Sequence, residues 1–336
     1  MKKKLRIVAD EAIPFLKGVL EPFAEMLYLP GNAISKKNVE NADALLVRTR
    51  TSCNAELLEN SSVKMIATAT IGMDHLDKSF LERQGIFYTN APACNADSVV
   101  QYFVAALLEM CERQKKDFRD MTLGIVGVGN IGSRIFQIGK ILGMRVLCCD
   151  LPKQEQGNFE IGVSFKTICE ESDVITFHTP LTRTGLFPTY HMFNENALSW
   201  VKKPFWLFNA SRGEVVSEKA LKWAIETGIC STAVIDVFEN EPVIHKSFLE
   251  KISIATPHIA GYSLDGKANA TSQIVRQVAS FFDIPELKTF NVELQDTDKK
   301  RVIEFKEIHT LVGQIQKVYQ LSYDINQDDF LLSKNP

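Results

Sequence analysis

The sequence predicts an α/β fold: two parallel-sheet domains with a cleft between them, and a small α+β module at the C-terminal end. Three observations predict it. Short β-type runs alternate with stretches of helical periodicity along most of the chain, which implies βαβ units and a mostly parallel sheet. A glycine-rich turn joins one such run to a helical pattern in mid-chain. The length of 336 residues exceeds what one hydrophobic core ordinarily organises.

The elements follow in order. Residues 5–9, 44–47 and 63–68 read as strands, with helical periodicity at 14–26 and 78–84. Residues 97–113 form a long apolar helix after the turn-like Asn90-Ala91-Pro92-Ala93, suited to connecting two domains. Strands recur at 122–126, 145–149, 174–178, 206–209, 232–235 and 252–255, with helical patterns between most of them. Residues 263–282 read as one helix. From 288 to 336 the pattern is strand-like and then mixed, over 290–294, 301–305 and 309–319.

Composition narrows the class. The apolar share of 45% and charged share of 24% are those of a globular protein. A net charge of -3 argues against a nucleic-acid partner, which calls for a basic face. Lys2-Lys3-Lys4 is followed by an apolar stretch broken by Arg6, Asp10 and Glu11, so no signal-peptide core forms. The apolar stretch 99–110 is too short to span a bilayer, so no membrane partner is expected. The seven cysteines are odd in number and lack zinc-ligand spacing, as expected of reduced thiols in a cytoplasmic protein without a metal.

Gly127-Val128-Gly129-Asn130-Ile131-Gly132 matches G-x-G-x-x-G. It follows the apolar run 123–126, opens the helical pattern 131–142, and precedes a second apolar run that ends in Asp150. That context makes the segment a Rossmann-like dinucleotide fingerprint. Gly127 allows the tight turn, Gly129 lets the backbone approach a pyrophosphate, and Gly132 lets the helix pack close. The helix start at Asn130 and Ile131 offers free N–H groups to that anion. Asp150 accepts from ribose hydroxyls and repels a 2′-phosphate, which favours NAD, although nearby Lys153 leaves NADP open.

Three further motifs lie at the ends of predicted strands, where ligands bind in an open parallel sheet. They are Asn209-Ala210-Ser211-Arg212-Gly213, Asp236-Val237-Phe238-Glu239-Asn240-Glu241-Pro242 and Thr256-Pro257-His258-Ile259-Ala260-Gly261. With the glycine loop and His178-Thr179-Pro180-Leu181 they make the chain resemble the D-isomer-specific 2-hydroxyacid dehydrogenases. The resemblance implies Arg212, Glu241 and His258 as the catalytic set. It places Asp236 by the nicotinamide carboxamide and Thr179 and Gly261 against NAD. The chemistry fits. A histidine titrates near neutrality and suits a base, a carboxylate holds it, and an arginine fork grips the substrate carboxylate. Taken singly, His258 reads as a turn histidine, Arg212 as a surface cation and Glu241 as a loop acid. His75, His191, His245 and His309 take structural readings, and His178 a packing role.

Segments 67–75, 91–96 and 258–267 resemble one branch of that family more closely, with Cys94-Asn95 and Gly261-Tyr262 as its marks. That branch oxidises a phosphorylated four-carbon hydroxyacid in pyridoxal phosphate biosynthesis. The likeness implies substrate contacts from Thr49, Thr70 and Tyr262. Arg48 is the first choice for the phosphate, ahead of Arg50 and Lys267, for which solvated surface charge is the competing reading. It also implies a substrate domain over 1–94 and 262–285, an NAD-binding domain over 95–261, and a dimerisation-type module over 286–336. Gln101 stands where relatives often carry glutamate, and the tail is shorter than the branch's usual one. The helix 97–113 resembles the family's dimer-forming element, so a homodimer is expected. Two rivals stay open: another 2-hydroxyacid dehydrogenase, such as one acting on 3-phosphoglycerate, and a non-catalytic NAD sensor.

Overall fold

Buried aliphatic runs build two parallel sheets in this computed structural model, which describes residues 4–157, 159, 161–294, 302–305, 308 and 310–334. The first holds β1 (Leu5–Asp10), β2 (Ala24–Leu29), β3 (Ala44–Val47), β4 (Met65–Thr68) and β5 (Phe87–Thr89), in the order β2-β1-β3-β4-β5. The second holds β6 (Thr122–Val126), β7 (Arg145–Cys149), β8 (Val174–Phe177), β9 (Phe205–Asn209), β10 (Cys230–Ile235) and β11 (Ile254–Ala255), in the order β11-β10-β9-β8-β6-β7. Each pairing is parallel. Parallel strands need crossovers that cover both faces, so their strands are apolar throughout. Accordingly β3, β4, β6, β8 and β9 are buried at every residue.

Two units result: Met1–Asn95 with Tyr262–Asp298, and Ala96–Gly261 with Lys299–Pro336. In the first, Ile7, Leu46 and Met65 pack with Ile274, Val275 and Val278 of the helix Leu264–Phe281. Val8, Leu45 and Ile66 face the other way, onto Leu57, Phe80 and Leu81. In the second, Leu123, Ile125, Trp206 and Phe208 meet the long helix Ala96–Gln114 and Ile135 of the helix Asn130–Ile141. Ile175, Phe177 and Leu207 meet Phe165, Leu198 and Leu221 on the opposite face.

Two expectations are corrected. Residues 14–26 show apolar helical spacing but form turns and then β2. Pro14, Gly18 and Pro22 interrupt them every four residues, and Phe15 (φ 60°) and Gly18 (φ 89°) are left-handed. Leu16 and Leu20 still fill the core, from loops rather than from a helix. The tail carries no strand among its described residues. It forms the helices Leu311–Ser322 and Ile325–Lys334, because Val312, Ile315 and Tyr319 make a helical stripe against the second unit's core. Residues 301 and 309, parts of the expected pattern, lie outside the described residues. The half-exposed edge strands β2 and β5 carry too little alternation to be read in advance. Among the described residues no helix is long and apolar enough to cross a membrane.

Candidate active site

The adjacent strands β9, β10 and β11 end in the loops that carry Arg212, Glu241 and His258. Asn209, the buried last residue of β9, shapes the first loop. Its Oδ1 accepts from Ser211 N at 3.1 Å and Ser211 Oγ at 2.8 Å, and its Nδ2 donates to Arg212 O at 2.9 Å. A Cβ on Gly213 would lie 2.1 Å from the Phe238 carbonyl, so the Arg212 turn rests directly on the backbone of the next loop. Only glycine permits that approach.

Glu241 joins the second and third loops. Its Oε1 accepts from Phe238 N and its Oε2 from His258 Nδ1, each at 2.8 Å. With Nδ1 committed as donor, Nε2 is the imidazole atom left to take up a proton. The hydrogen bond to Glu241 holds the His258 pKa above its ordinary 6.5, against burial, with the charges of Glu241 and Asp236 adding and that of Arg212 subtracting. Burial works to raise the Glu241 pKa, but the His258 bond, the Phe238 N–H and the Arg212 charge leave it below 4.5. Arg212 therefore acts on both partners. Asn240 (φ 63°) and His258 (φ 56°) are left-handed, which costs roughly 1–2 kcal/mol at a non-glycine residue. Asp236 offsets this for His258. Its carbonyl accepts His258 N at 2.7 Å, and its buried carboxylate accepts Ile259 N at 2.8 Å, Ala260 N at 2.9 Å and Thr256 Oγ1 at 2.6 Å.

The glycine loop lies between β6 and the helix Asn130–Ile141. Gly127 has φ 86°, and a Cβ there would meet the His178 carbonyl at 2.7 Å. A Cβ on Gly132 would meet Gly127 O at 2.0 Å, so this glycine serves the loop's own closure more than the packing of helix on strand. Gly129 is exposed, and a Cβ there would meet nothing within 4 Å. Asp150 Oδ2 accepts Val128 N at 2.8 Å, tying the acid to the loop. Lys153 Nζ donates to Val128 O at 2.6 Å, which occupies the cation that left a 2′-phosphate open.

Residues 101–260 match the family described as "D-isomer specific 2-hydroxyacid dehydrogenase, NAD binding domain". The chain is 47% identical over 282 residues to erythronate-4-phosphate dehydrogenase of Bacteroides thetaiotaomicron, a match spanning 83% of this chain and 81% of that relative. It belongs to the D-isomer specific 2-hydroxyacid dehydrogenase family. The Proteus mirabilis erythronate-4-phosphate dehydrogenase is 38% identical over 332 residues, 98% of this chain and 88% of the relative. Among solved structures, the D-lactate dehydrogenase of Aquifex aeolicus complexed with NAD and lactic acid superimposes with a TM-score of 0.70 at 28% identity, over 83% of this chain and 95% of that one.

This dehydrogenase uses NAD, and its residues fit that cofactor. Gly129 leaves room over the loop, and the helix beginning at Asn130 points its free N–H groups there. Thr179 Oγ1, just beyond β8, is buried and has no hydrogen-bond partner among the described residues, a donor and acceptor that a ligand could satisfy. His178 takes the packing role expected of it. Its Nε2 bonds Thr176 Oγ1 at 2.8 Å, and burial pushes its pKa down to about 3.

The dehydrogenase's first unit carries Arg48, Thr49 and Thr70 just beyond the paired strands β3 and β4. Arg48 is half-buried and donates to Ala12 O at 3.2 Å. Lys267 Nζ lies 3.6 Å from the centroid of the exposed Tyr262 ring. Lys267, with Arg48 contributing, holds the Tyr262 phenol below its ordinary pKa. Arg48, Lys267 and Tyr262 thus converge in one place, and Arg50 is exposed. Sequence reasoning named the motifs of Asn209 and Thr256 without their loop-holding role, gave His75 its structural reading, and missed Tyr102 and Thr68. His75 Nε2 lies 3.0 Å from Thr68 Oγ1, which lies 2.8 Å from Thr70 Oγ1. The available signal was a short polar side chain at the end of an apolar strand, in Asn209, Thr256 and Thr68 alike.

Proposed function

We infer that this enzyme oxidises 4-phospho-D-erythronate to 2-oxo-3-hydroxy-4-phosphobutanoate, a step of pyridoxal 5′-phosphate biosynthesis. One observation carries the chemistry: the 2.8 Å contact between His258 Nδ1 and Glu241 Oε2, with the Arg212 charge acting on both. The names of the relatives from Bacteroides and Proteus support the substrate.

Oxidation at C2 removes a hydride from carbon and a proton from the hydroxyl. Bound NAD supplies the hydride acceptor. His258 receives the hydroxyl proton at Nε2, and Glu241 stabilises the imidazolium that forms. Arg212 holds the substrate carboxylate in a planar fork and polarises the C2 oxygen as it becomes a carbonyl. Gly127, Gly129, Asn130, Ile131 and Gly132 would cradle the pyrophosphate, Asp150 would take the ribose, Asp236 would stand by the nicotinamide carboxamide, and Thr179 and Gly261 would touch NAD. Arg48, backed by Lys267 and Tyr262, receives the phosphate, while Thr49 and Thr70 touch the hydroxylated chain. In this reading 1–94 with 262–285 form the substrate domain, 95–261 bind NAD, and 286–336 take part in a homodimer. The seven buried, unpaired cysteines suit the reducing cytoplasm.

Turnover of 4-phospho-D-erythronate and 3-phosphoglycerate at matched concentrations tests the reading. The assay is run with and without a 2-oxoacid as second acceptor, which would reoxidise NADH that stays bound. The expected kcat/KM ratio is on the order of 100-fold or more for the erythronate. Comparable turnover of 3-phosphoglycerate would move the assignment to that acid, and NAD binding without any turnover would favour a sensor.

A further inference from the structure

The loop that carries His258 is short and holds that residue left-handed, yet in the proposed reaction it must place the imidazole to a fraction of an ångström. Part of what holds it comes from the far end of the chain. Asp329, half-buried in the helix Ile325–Lys334, accepts the Ala255 N–H at its Oδ1, 2.8 Å away. Ala255 ends β11, a strand of two residues at the edge of its sheet, paired only with β10. So brief an edge strand has little of its own to keep it in register.

The next residue is Thr256, fully buried. Its hydroxyl donates to Asp236 Oδ1 at 2.6 Å and lies 2.7 Å from the hydroxyl of Tyr102. Because the threonine proton goes to the carboxylate, the buried Tyr102 phenol is the donor in that second contact. Tyr102 belongs to the long helix Ala96–Gln114. Near the end of that helix Arg113 donates to Ser253 O at 3.0 Å and bonds the Asn326 side chain. Leu332 packs with Phe248, Leu249 and Ala255. The segment 253–256 is thereby fastened on its outer side by the C-terminal helix and the long helix. Asp236 then fastens 258–260 from within.

We propose that Asp329 is a positioning residue for His258: by fixing the end of β11 it sets the register in which Thr256 and Asp236 present the imidazole to Glu241. The C-terminal helix is then part of the catalytic framework of its own chain, besides any role in assembly. The proposal rests on His258 as the base, and the His258→Ala variant tests that separately, since unchanged turnover there would remove the base and not the brace.

The test compares Asp329→Ala, Asp329→Asn and Tyr102→Phe in the full-length enzyme. An asparagine keeps an acceptor for the Ala255 N–H, whereas alanine does not. Misplacing a catalytic group by about 1 Å costs on the order of 100-fold, so Asp329→Ala should lower kcat roughly 10- to 100-fold. NAD affinity, read by calorimetry, should fall less than kcat, because the glycine loop and Asp150, which take the pyrophosphate and ribose in this reading, lie on other strands than β11. The kinetic pKa seen in the kcat/KM profile should fall toward the ordinary histidine value as the Glu241 contact loosens. Asp329→Asn should restore most of kcat. Tyr102→Phe, which removes the phenol donor from the same threonine, should move kcat and the kinetic pKa in the same direction as alanine at 329. This second variant decides the matter where Asp329→Ala fails to fold. Turnover unchanged in Asp329→Ala and Tyr102→Phe would overturn the proposal. So would a loss of kcat, NAD affinity and melting temperature together that asparagine does not rescue.

Discussion

At the scale of single residues, the His258–Glu241 pair sets the pH behaviour. In the proposed oxidation His258 must be neutral to accept the C2 hydroxyl proton, and Glu241 keeps its pKa above 6.5. The kcat/KM for oxidation should therefore rise with pH through an apparent pKa above that value. Glu241→Gln removes the negative charge that raises it. The apparent pKa should drop, and kcat should fall on the order of 100-fold because the imidazolium loses its counter-charge. A pH profile of both proteins checks this, and an unchanged pKa in the variant would separate Glu241 from the base. Arg48 offers a different reading. A charged hydrogen bond contributes about 1.5–3 kcal/mol, so Arg48→Ala should raise the KM for the phosphorylated acid roughly 10- to 100-fold with little change in kcat. Steady-state kinetics with and without the phosphate group on the substrate decides whether the loss belongs to that group.

At the scale of elements, close backbone approach is the organising device. The Arg212 turn sits on the Phe238 backbone with room for no side chain at Gly213. A Cβ added there would lie 2.1 Å from backbone atoms, which cannot swing aside. Gly213→Ala should lower stability by about 1–3 kcal/mol through overpacking and reduce kcat more than NAD affinity, as Arg212 is pushed off its neighbours. Chemical denaturation and single-turnover rates measure the two parts. The strands 44–47, 122–126 and 145–149 and the helix 78–84 were read to the residue, since each run ends against a glycine or a charged residue: Arg48, Gly127, Asp150 and Gly85. The segment 14–26 was not, because its apolar spacing suits a helix while Pro14, Gly18 and Pro22 forbid one. The C-terminal helices were hidden for the opposite reason: their apolar stripe acquires meaning only against the core it covers.

At the scale of the whole molecule, buried and paired titratable groups link stability to pH. His258 is raised, so its contribution is full below pH 6.5 and is lost as pH climbs through its folded pKa. Glu241 is lowered, so its contribution is present above pH 4.5 and is lost as pH falls through its folded pKa. The pair thus favours the fold most between those two values. His178 works differently. Its pKa falls to about 3 in the fold, so between pH 6.5 and 3 the unfolded chain binds a proton that the native protein refuses. Stability should decline as pH drops through that range, and His178→Gln should flatten the decline. Urea unfolding at several pH values checks it, and parallel slopes in the two proteins would exclude His178 as the cause.

The sequence by itself determined the class of fold and the glycine loop with Asp150, and it marked the three strand-end motifs that hold Arg212, Glu241 and His258. Those are local facts: apolar runs, turn residues and motifs a few residues long, each specified by its own neighbours. Only the tertiary structure decided how they work. That Lys153 turns to the Val128 carbonyl, that Gly213 lies on Phe238, and that Asp236 and Thr256 hold the His258 loop all depend on strands brought side by side from distant parts of the chain. A hydrogen bond of 2.8 Å between residues 255 and 329 leaves no mark in the sequence, because packing alone chooses the partner.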